Sequence, residues 1–143
     1  MDNFDKNIID ILESDGRASN AEIARKIGVS EGTIRRRLKK LIDNKTINVL
    51  AISDPRQMGY EFEALVGVQV DPGLVEPVAD AITNLQDTKW VSITTGTYDV
   101  FAWVILPTAE ALGRFLRNSI GEIEGVKKTE TFVSLQVVKR ELE

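Results

Sequence analysis

Gly28-Val29-Ser30-Glu31-Gly32-Thr33-Ile34-Arg35-Arg36-Arg37-Leu38-Lys39-Lys40 holds a helix stop, a helix start and a run of cations. Gly28 suits the left-handed conformation that closes a helix and Ser30 the cap that opens the next, with only Val29 between them. Two helices so joined must cross steeply. In the second, Ile34, Leu38, Leu41 and Ile42 follow the i, i+4, i+7, i+8 rhythm of one buried stripe. At about 100° per residue the opposite arc carries Gly32, Thr33, Arg36, Lys39 and Lys40, with Arg35 and Arg37 on its flanks.

Five of the six residues from Arg35 to Lys40 are basic, in a chain of net charge -4. Concentrated positive charge on a negative protein needs a negative partner. A merely solvated face usually mixes signs, whereas this run contains no acid. A major groove admits one helix, so the pattern predicts a helix-turn-helix on double-stranded DNA. The expected DNA surface is Ser30, Thr33, Arg35, Arg36, Arg37, Lys39 and Lys40. Thr33 and Arg36 are candidates for base edges, and Arg35, Arg37, Lys39 and Lys40 for phosphates.

Upstream, Phe4, Ile8, Ile9 and Leu12 predict a first helix, with Asp5 as its cap, Phe4 stapled onto Ile9, and Gly16 as its end. Ser19 and Glu22 form a capping box before a helix that buries Ile23, Ala24 and Ile27. Downstream, Ile47 to Ile52 is β-prone and is broken by Ser53-Asp54-Pro55. A winged-helix-like head over residues 1–52, a β linker over 53–60 and a second domain over 61–143 are expected.

From Phe62 the period changes to two: Phe62, Ala64, Val66, Val68 and Val70 alternate with Glu63, Leu65, Gly67 and Gln69. Val75, Val78, Ala79, Ile82 and Leu85 then recur at helical spacing, with Pro77 in the first turn. Strands are predicted from Trp90 to Thr95 and from Tyr98 to Leu106, then a helix capped by Thr108 and a last strand from Val126 to Val138. The order β-α-β-β-α-β predicts a ferredoxin-like α+β layer. Two helices cover one sheet face only, yet the strand ending at Leu106 is apolar on both parities, with Phe101, Trp103 and Ile105 on the second. A partner subunit is expected to cover that row, making at least a homodimer.

Residues 1–50 carry 10 basic and 8 acidic side chains, and residues 51–143 carry 8 and 14, so the two sections face different tasks. Cysteine and histidine are absent. This excludes disulfides and thiolate chemistry, and it removes the commonest metal ligand and general base. No cofactor, metal or catalytic residue is expected. No apolar run approaches the roughly 20 residues of a membrane span, and the acidic opening Met-Asp-Asn-Phe-Asp is unlike a signal peptide. A cytoplasmic protein without a membrane partner is the expectation.

Several stretches in this order and spacing resemble the feast/famine regulators, the Lrp/AsnC family of bacterial and archaeal transcription factors. They are Asp5 to Leu12, Gly16-Arg17, Ser19 to Ala24, Val29 to Leu41, Gly59-Tyr60, Thr95 to Asp99, Gly125-Val126, Thr129 with Thr131, and Val138-Lys139. At Asn44-Lys45-Thr46-Ile47 the chain departs from the family, which usually has glycine before the isoleucine. The resemblance implies a DNA-binding head, and a ferredoxin-like domain that dimerises, assembles often into octamers and binds a small effector, usually an amino acid. It also implies that Gly96, Thr97, Tyr98 and Asp99 line an effector pocket between subunits, Asp99 receiving an ammonium and backbone amides a carboxylate, with Thr129 and Thr131 nearby. From the residues alone, Gly96 to Asp99 reads as a hairpin turn and the two threonines as a cross-strand ladder.

The combined expectation is a sequence-specific transcriptional regulator modulated by an amino acid, and not an enzyme. The alternative is a small-molecule-binding ferredoxin-like enzyme or sensor without DNA binding. The missing histidine, cysteine and nucleophile motif weigh against the enzyme, and the basic arc weighs against a sensor that binds no DNA.

Overall fold

The computed structural model describes residues 2–139. Met1 and residues 140–143, which the expected domain limits include, lie outside them. The chain divides into two compact units that meet between Ile52 and Ser53.

The first unit is a three-helix head: α1 (Asn3–Ser14), α2 (Asn20–Ile27) and α3 (Glu31–Asp43). Ile8, Ile23, Ala24, Ile34 and Leu41 form its core, fringed by Ile9, Leu12, Ile27, Val29 and Leu38. Each large aliphatic side chain buried there contributes about 1.5–3 kcal/mol. At α2 the capping box closes as predicted: the Ser19 hydroxyl accepts the Glu22 amide at 3.2 Å, and the Glu22 carboxylate accepts the Ser19 amide at 2.7 Å. Gly28 sits at φ 82°, and the Ser30 side chain accepts the Thr33 amide.

The start of α1 differs from expectation. Asp2, not Asp5, is the cap; its carboxylate accepts the Asp5 amide at 2.9 Å while the Asp5 carboxylate accepts the Asp2 amide at 3.3 Å. A box opening this early places Phe4 inside the first turn, 44% exposed, instead of before the helix where a staple would form. Asp15, in an extended conformation, ends α1 one residue ahead of Gly16. Ile42 is 41% exposed, because it lies about 80° round the helix from Ile34, away from Leu41. Among the described residues the head contains no strand, so neither a wing nor the expected linker strand at Ile47 to Ile52 forms within the chain. Leu50 there is 76% exposed, and a strand needs a neighbour to accept and donate its ladder bonds.

Lys45, at φ 55°, takes the left-handed seat after α3. The Lys45 amide reaches the Ile42 carbonyl at 2.9 Å and the Thr46 amide reaches the Leu41 carbonyl at 2.8 Å, the paired bonds of a Schellman closure. The turn that glycine usually makes is therefore preserved with a lysine in it.

The second unit contains β1 (Phe62–Val70), α4 (Val75–Thr83), β2 (Thr88–Ile93), β3 (Val100–Leu106), α5 (Ala109–Arg114) continuing into a wider π turn at Phe115–Ile120, and β4 (Val126–Val133). A short 3-10 turn at Arg56–Met58 precedes them. The sheet runs β2-β3-β1-β4 with every neighbouring pair antiparallel, the expected ferredoxin-like arrangement. Ala64, Val66 and Val68 lie opposite Val104, Ala102 and Val100, and all six are buried in one core with Val78, Ile82, Leu112, Phe115 and Ile120.

Three strands have limits that differ from the sequence reading. β2 begins at Thr88 and stops at Ile93, and β3 begins at Val100, because residues 94–99 form a loop with bonds of its own. β4 stops at Val133, which already pairs with Ala64 near the start of β1, so the chain beyond it has little ladder left to join. The face away from the core carries Leu65, Phe101, Trp103 and Ile105, with Trp90 53% and Phe132 46% exposed at its sides.

A left-handed conformation costs a residue with a Cβ about 1–2 kcal/mol, part of which glycine gives back as chain entropy. Lys45→Gly is therefore expected to raise head stability by about 0.5–1 kcal/mol, read as a higher midpoint in urea unfolding followed by helical circular dichroism.

Candidate nucleic-acid interface and effector loop

Burial of Ile34 and Leu41 against Ile8 and Ile23 decides which way α3 faces, and with it the direction of every cation on the helix. The basic ridge then sorts by engagement. Arg35 pairs with Glu31 at 2.7 Å and Lys39 with Asp43 at 2.6 Å, both one helical turn apart and well exposed. Such exposed pairs contribute only about 0.3–0.5 kcal/mol, so a phosphate can replace the carboxylate at little cost. Arg36 and Lys40 are exposed and enter no ion pair among the described residues. Ser30 and Thr33 are occupied at the helix start, where their hydroxyls lie 2.9 Å apart.

Arg37 is different. It turns toward α1, where its guanidinium donates to Asp2 at 2.7 Å and to Asp5 at 2.9 Å and lies 5.4 Å from the centre of the Phe4 ring. Its side chain is only 29% exposed. Phe4, read in the sequence as a staple for Ile9, is the surface on which this arginine rests. The Asp5 amide, then Arg37, hold the Asp2 carboxyl below the usual carboxylate range, and Asp2 and Asp5 raise the Arg37 guanidinium further. Sequence reasoning missed this clamp, although Asp2, Asp5 and Arg37 were all visible, because nothing local says that α1 begins beside the middle of α3.

In the second unit, the loop between β2 and β3 is tied to its own ends and to β1. The Thr94 amide reaches the Asp99 carbonyl at 3.0 Å and the Thr94 hydroxyl the Tyr98 carbonyl at 3.0 Å. The Asp99 amide donates to the Val68 carbonyl at 2.9 Å, and the Asp99 carboxylate accepts the Val70 amide at 2.8 Å. The Gln69 side chain donates to the Thr97 carbonyl at 3.1 Å, and Gly96 supplies the positive φ of 105° that the turn needs.

Tyr98 lies flat where Gly67 has no side chain: a Cβ on Gly67 would meet its ring at 2.8 Å. The ring also meets Phe101 and Phe132 edge-on. Glycine at position 67, passed over in the sequence as one member of an alternation, is thus what admits the tyrosine.

The six expected effector residues do not converge on one patch. Thr129 and Thr131 lie opposite Val68 and Val66, on the helix-covered face, whereas Tyr98 packs on the other face of the same strand. Gly96, Thr97, Tyr98 and Asp99 stay together in the loop. A cleft of about 360 Å³ on the open face is lined by Glu63, Trp103, Ser134, Gln136, Val137 and Lys139, none of which is in the expected set. Among the described residues no group of three or more acidic, histidine or cysteine side chains could hold a metal ion, and no helix is long and apolar enough to cross a membrane.

Residues 1–42 match the AsnC-type helix-turn-helix domain and residues 63–143 match the Lrp/AsnC ligand binding domain. The chain belongs to the Lrp/AsnC family. An uncharacterised HTH-type transcriptional regulator of Pyrococcus furiosus is 39% identical over 140 residues, 97% of this chain and 95% of its own length. The HTH-type transcriptional regulator Ptr1 of Methanocaldococcus jannaschii is 33% identical over the same shares. The solved structure of E. coli AsnC superposes with a TM-score of 0.84 at 29% identity, covering 98% of this chain and 95% of that one. A Neisseria meningitidis transcriptional regulator solved as its L-Met complex has the same fold, with a TM-score of 0.85 at 21% identity over 98% and 93% of the two chains. This Lrp/AsnC protein is a transcriptional regulator with a DNA-binding helix-turn-helix and a ligand-binding domain.

In this regulator the clamp on Arg37 has a definite pH sign. A carboxyl whose pKa is lowered by folding stabilises the fold above its unfolded value of about 4, and that contribution is lost as pH falls through the folded value. Acidification below about pH 4 is expected to loosen the start of α1, and Asp2→Asn should flatten that acid limb. Thermal unfolding between pH 2.5 and 6, with a carboxyl-carbon NMR titration of Asp2, measures both.

Proposed function

We propose that this regulator reads DNA with the outer arc of α3 and that an amino acid held at the loop of residues 96–99 shifts its assembly or its DNA affinity. The observation that carries the first half is the state of Arg36 and Lys40, which are exposed and enter no ion pair among the described residues, on a helix whose opposite face is locked into the head core. Arg36 contacts base edges. Lys40 contacts phosphate, and Arg35 and Lys39 join it by exchanging their carboxylate partners. Ser30 and Thr33 shape the start of the helix, with Thr33 beside Arg36 at the groove. Arg37 is left out of this set.

Residues 1–52 act as the DNA-binding head, 53–60 as the linker, and 61–143 as the effector-binding and oligomerisation domain. Exposed Trp90 and Phe132, flanking the half-buried Phe101 and Trp103, support a homodimer, with larger assemblies such as octamers built from it. The Neisseria relative with bound L-Met supports an amino acid as effector. Within one chain Tyr98 and the two threonines lie on different faces of the sheet, which supports a pocket completed by a second subunit. In this role the protein carries no catalytic site and works in the cytoplasm, where the DNA is.

A dimer of this kind favours inverted half-sites about one helical turn apart. Arg36→Ala is expected to lose roughly 1–3 kcal/mol of discrimination at one base position, while Lys40→Ala weakens binding to every duplex and flattens its salt dependence. Competition binding on selected and random duplexes distinguishes the two, and equal losses for Arg36→Ala on both would remove its base-reading role. For the effector, screening free amino acids by thermal shift and by DNA binding should find at least one that moves both, since coupling requires unequal affinity for two states. A panel that moves neither overturns the effector reading and leaves the DNA reading intact.

A further inference from the structure

Among the described residues, Arg37 is the member of the Arg35 to Lys40 run that pairs with carboxylates outside its own helix. It has two carboxylate partners at 2.7 and 2.9 Å, an aromatic ring under it and 29% exposure. Its two basic neighbours on the same helix that are paired, Arg35 and Lys39, have one partner each among the described residues and 69% and 74% exposure. A single exposed carboxylate yields to phosphate, whereas two carboxylates and a ring do not yield easily, because all three contacts must be given up together. Asp2 and Asp5 also place two negative charges beside the Arg35 to Lys40 run, which contains no acid of its own.

We propose that Asp2 and Asp5 are specificity-determining residues: by sequestering Arg37 they lower affinity for DNA in general and so widen the margin between an operator and any other duplex. The physical logic follows from how the two kinds of binding are built. Affinity for random sequence comes almost wholly from neutralised phosphates and released counterions, so one additional arginine raises it everywhere. Base-edge contacts are not improved by that arginine. An operator whose contacts already set the position of α3 gains less from it than a random duplex, on which the protein can settle wherever the extra cation meets a phosphate. The acidic pair thus acts through Arg37 on selectivity, without touching DNA.

This inference rests on the DNA-binding reading of α3, and the test separates the two. Wild-type protein, D2N/D5N, D5N alone, and D2N/D5N/R37Q are titrated against a random duplex and a duplex selected by the wild type from a random pool, between 50 and 300 mM KCl. Asparagine caps a helix as well as aspartate, so Asp2→Asn keeps α1 capped, and D5N alone retains the native cap if the double variant unfolds. D2N/D5N is expected to bind the random duplex about fivefold to tenfold more tightly near 100 mM salt, with a log–log salt slope steeper by about 0.9, one phosphate's worth of counterion release. Its selected-to-random ratio should fall, D5N should move the same way by less, and R37Q in the triple variant should cancel the gain.

Wild-type affinity and slope in D2N/D5N, or in D5N should the double variant not fold, overturn the proposal. A gain that survives R37Q also overturns it, because the carboxylates would then act by direct repulsion alone. Failure of the wild-type protein to bind any duplex would instead overturn the DNA-binding reading.

Discussion

The packing of Ile34 and Leu41 against Ile8 and Ile23 is the constraint on which the rest of the head depends. A helix with one apolar stripe has one way to sit on a core, and once it sits, the side chains 180° away have no choice but solvent. Arg36 and Lys40 are left exposed by that packing, with no ion pair among the described residues. The two short turns on either side preserve the orientation: Gly28 at φ 82° before α3 and the Schellman closure through Lys45 after it. That lysine occupies a seat suited to glycine shows that the bonds around the turn outweigh the backbone penalty.

A second constraint governs the ligand-binding domain. The central strand β1 is shared by β3 on one side and β4 on the other, so each of its residues determines what lies across from it on both. Val66 and Val68 take Thr131 and Thr129 to the covered face, and Gly67, between them, opens the other face to Tyr98. The loop at residues 94–99 is therefore held by the sheet and not merely by its own turn. Its Asp99 carboxylate accepts the Val70 amide, so the side chain that closes the loop also holds the end of β1.

Much of this was legible along the chain because its causes are local. Helical and strand periods, the Ser19 box, the Ser30 and Thr108 caps and the left-handed Gly28 and Gly96 each depend on residues within a few positions of one another, and each took the form expected. The failures differ in cause. Asp5 lost the cap to Asp2, a local competitor three residues earlier, whereas Phe4 lies under Arg37 from another helix and Ile47 to Ile52 found no strand neighbour among the described residues.

By itself the amino-acid order determined the three helices of the head, the basic character of α3 and the βαββαβ succession that follows, since hydrophobic period and capping chemistry act through the bonded neighbourhood. Only the tertiary structure decided that Arg37, unlike Arg36 among the described residues, is engaged by another helix. Arg36 and Arg37 are adjacent and chemically identical, yet one faces water and the other lies in a cage of Asp2, Asp5 and Phe4 more than thirty positions away. A charge is engaged or available according to what folding brings within about 3–4 Å of it, and that distance is not written in the spacing of residues along a chain.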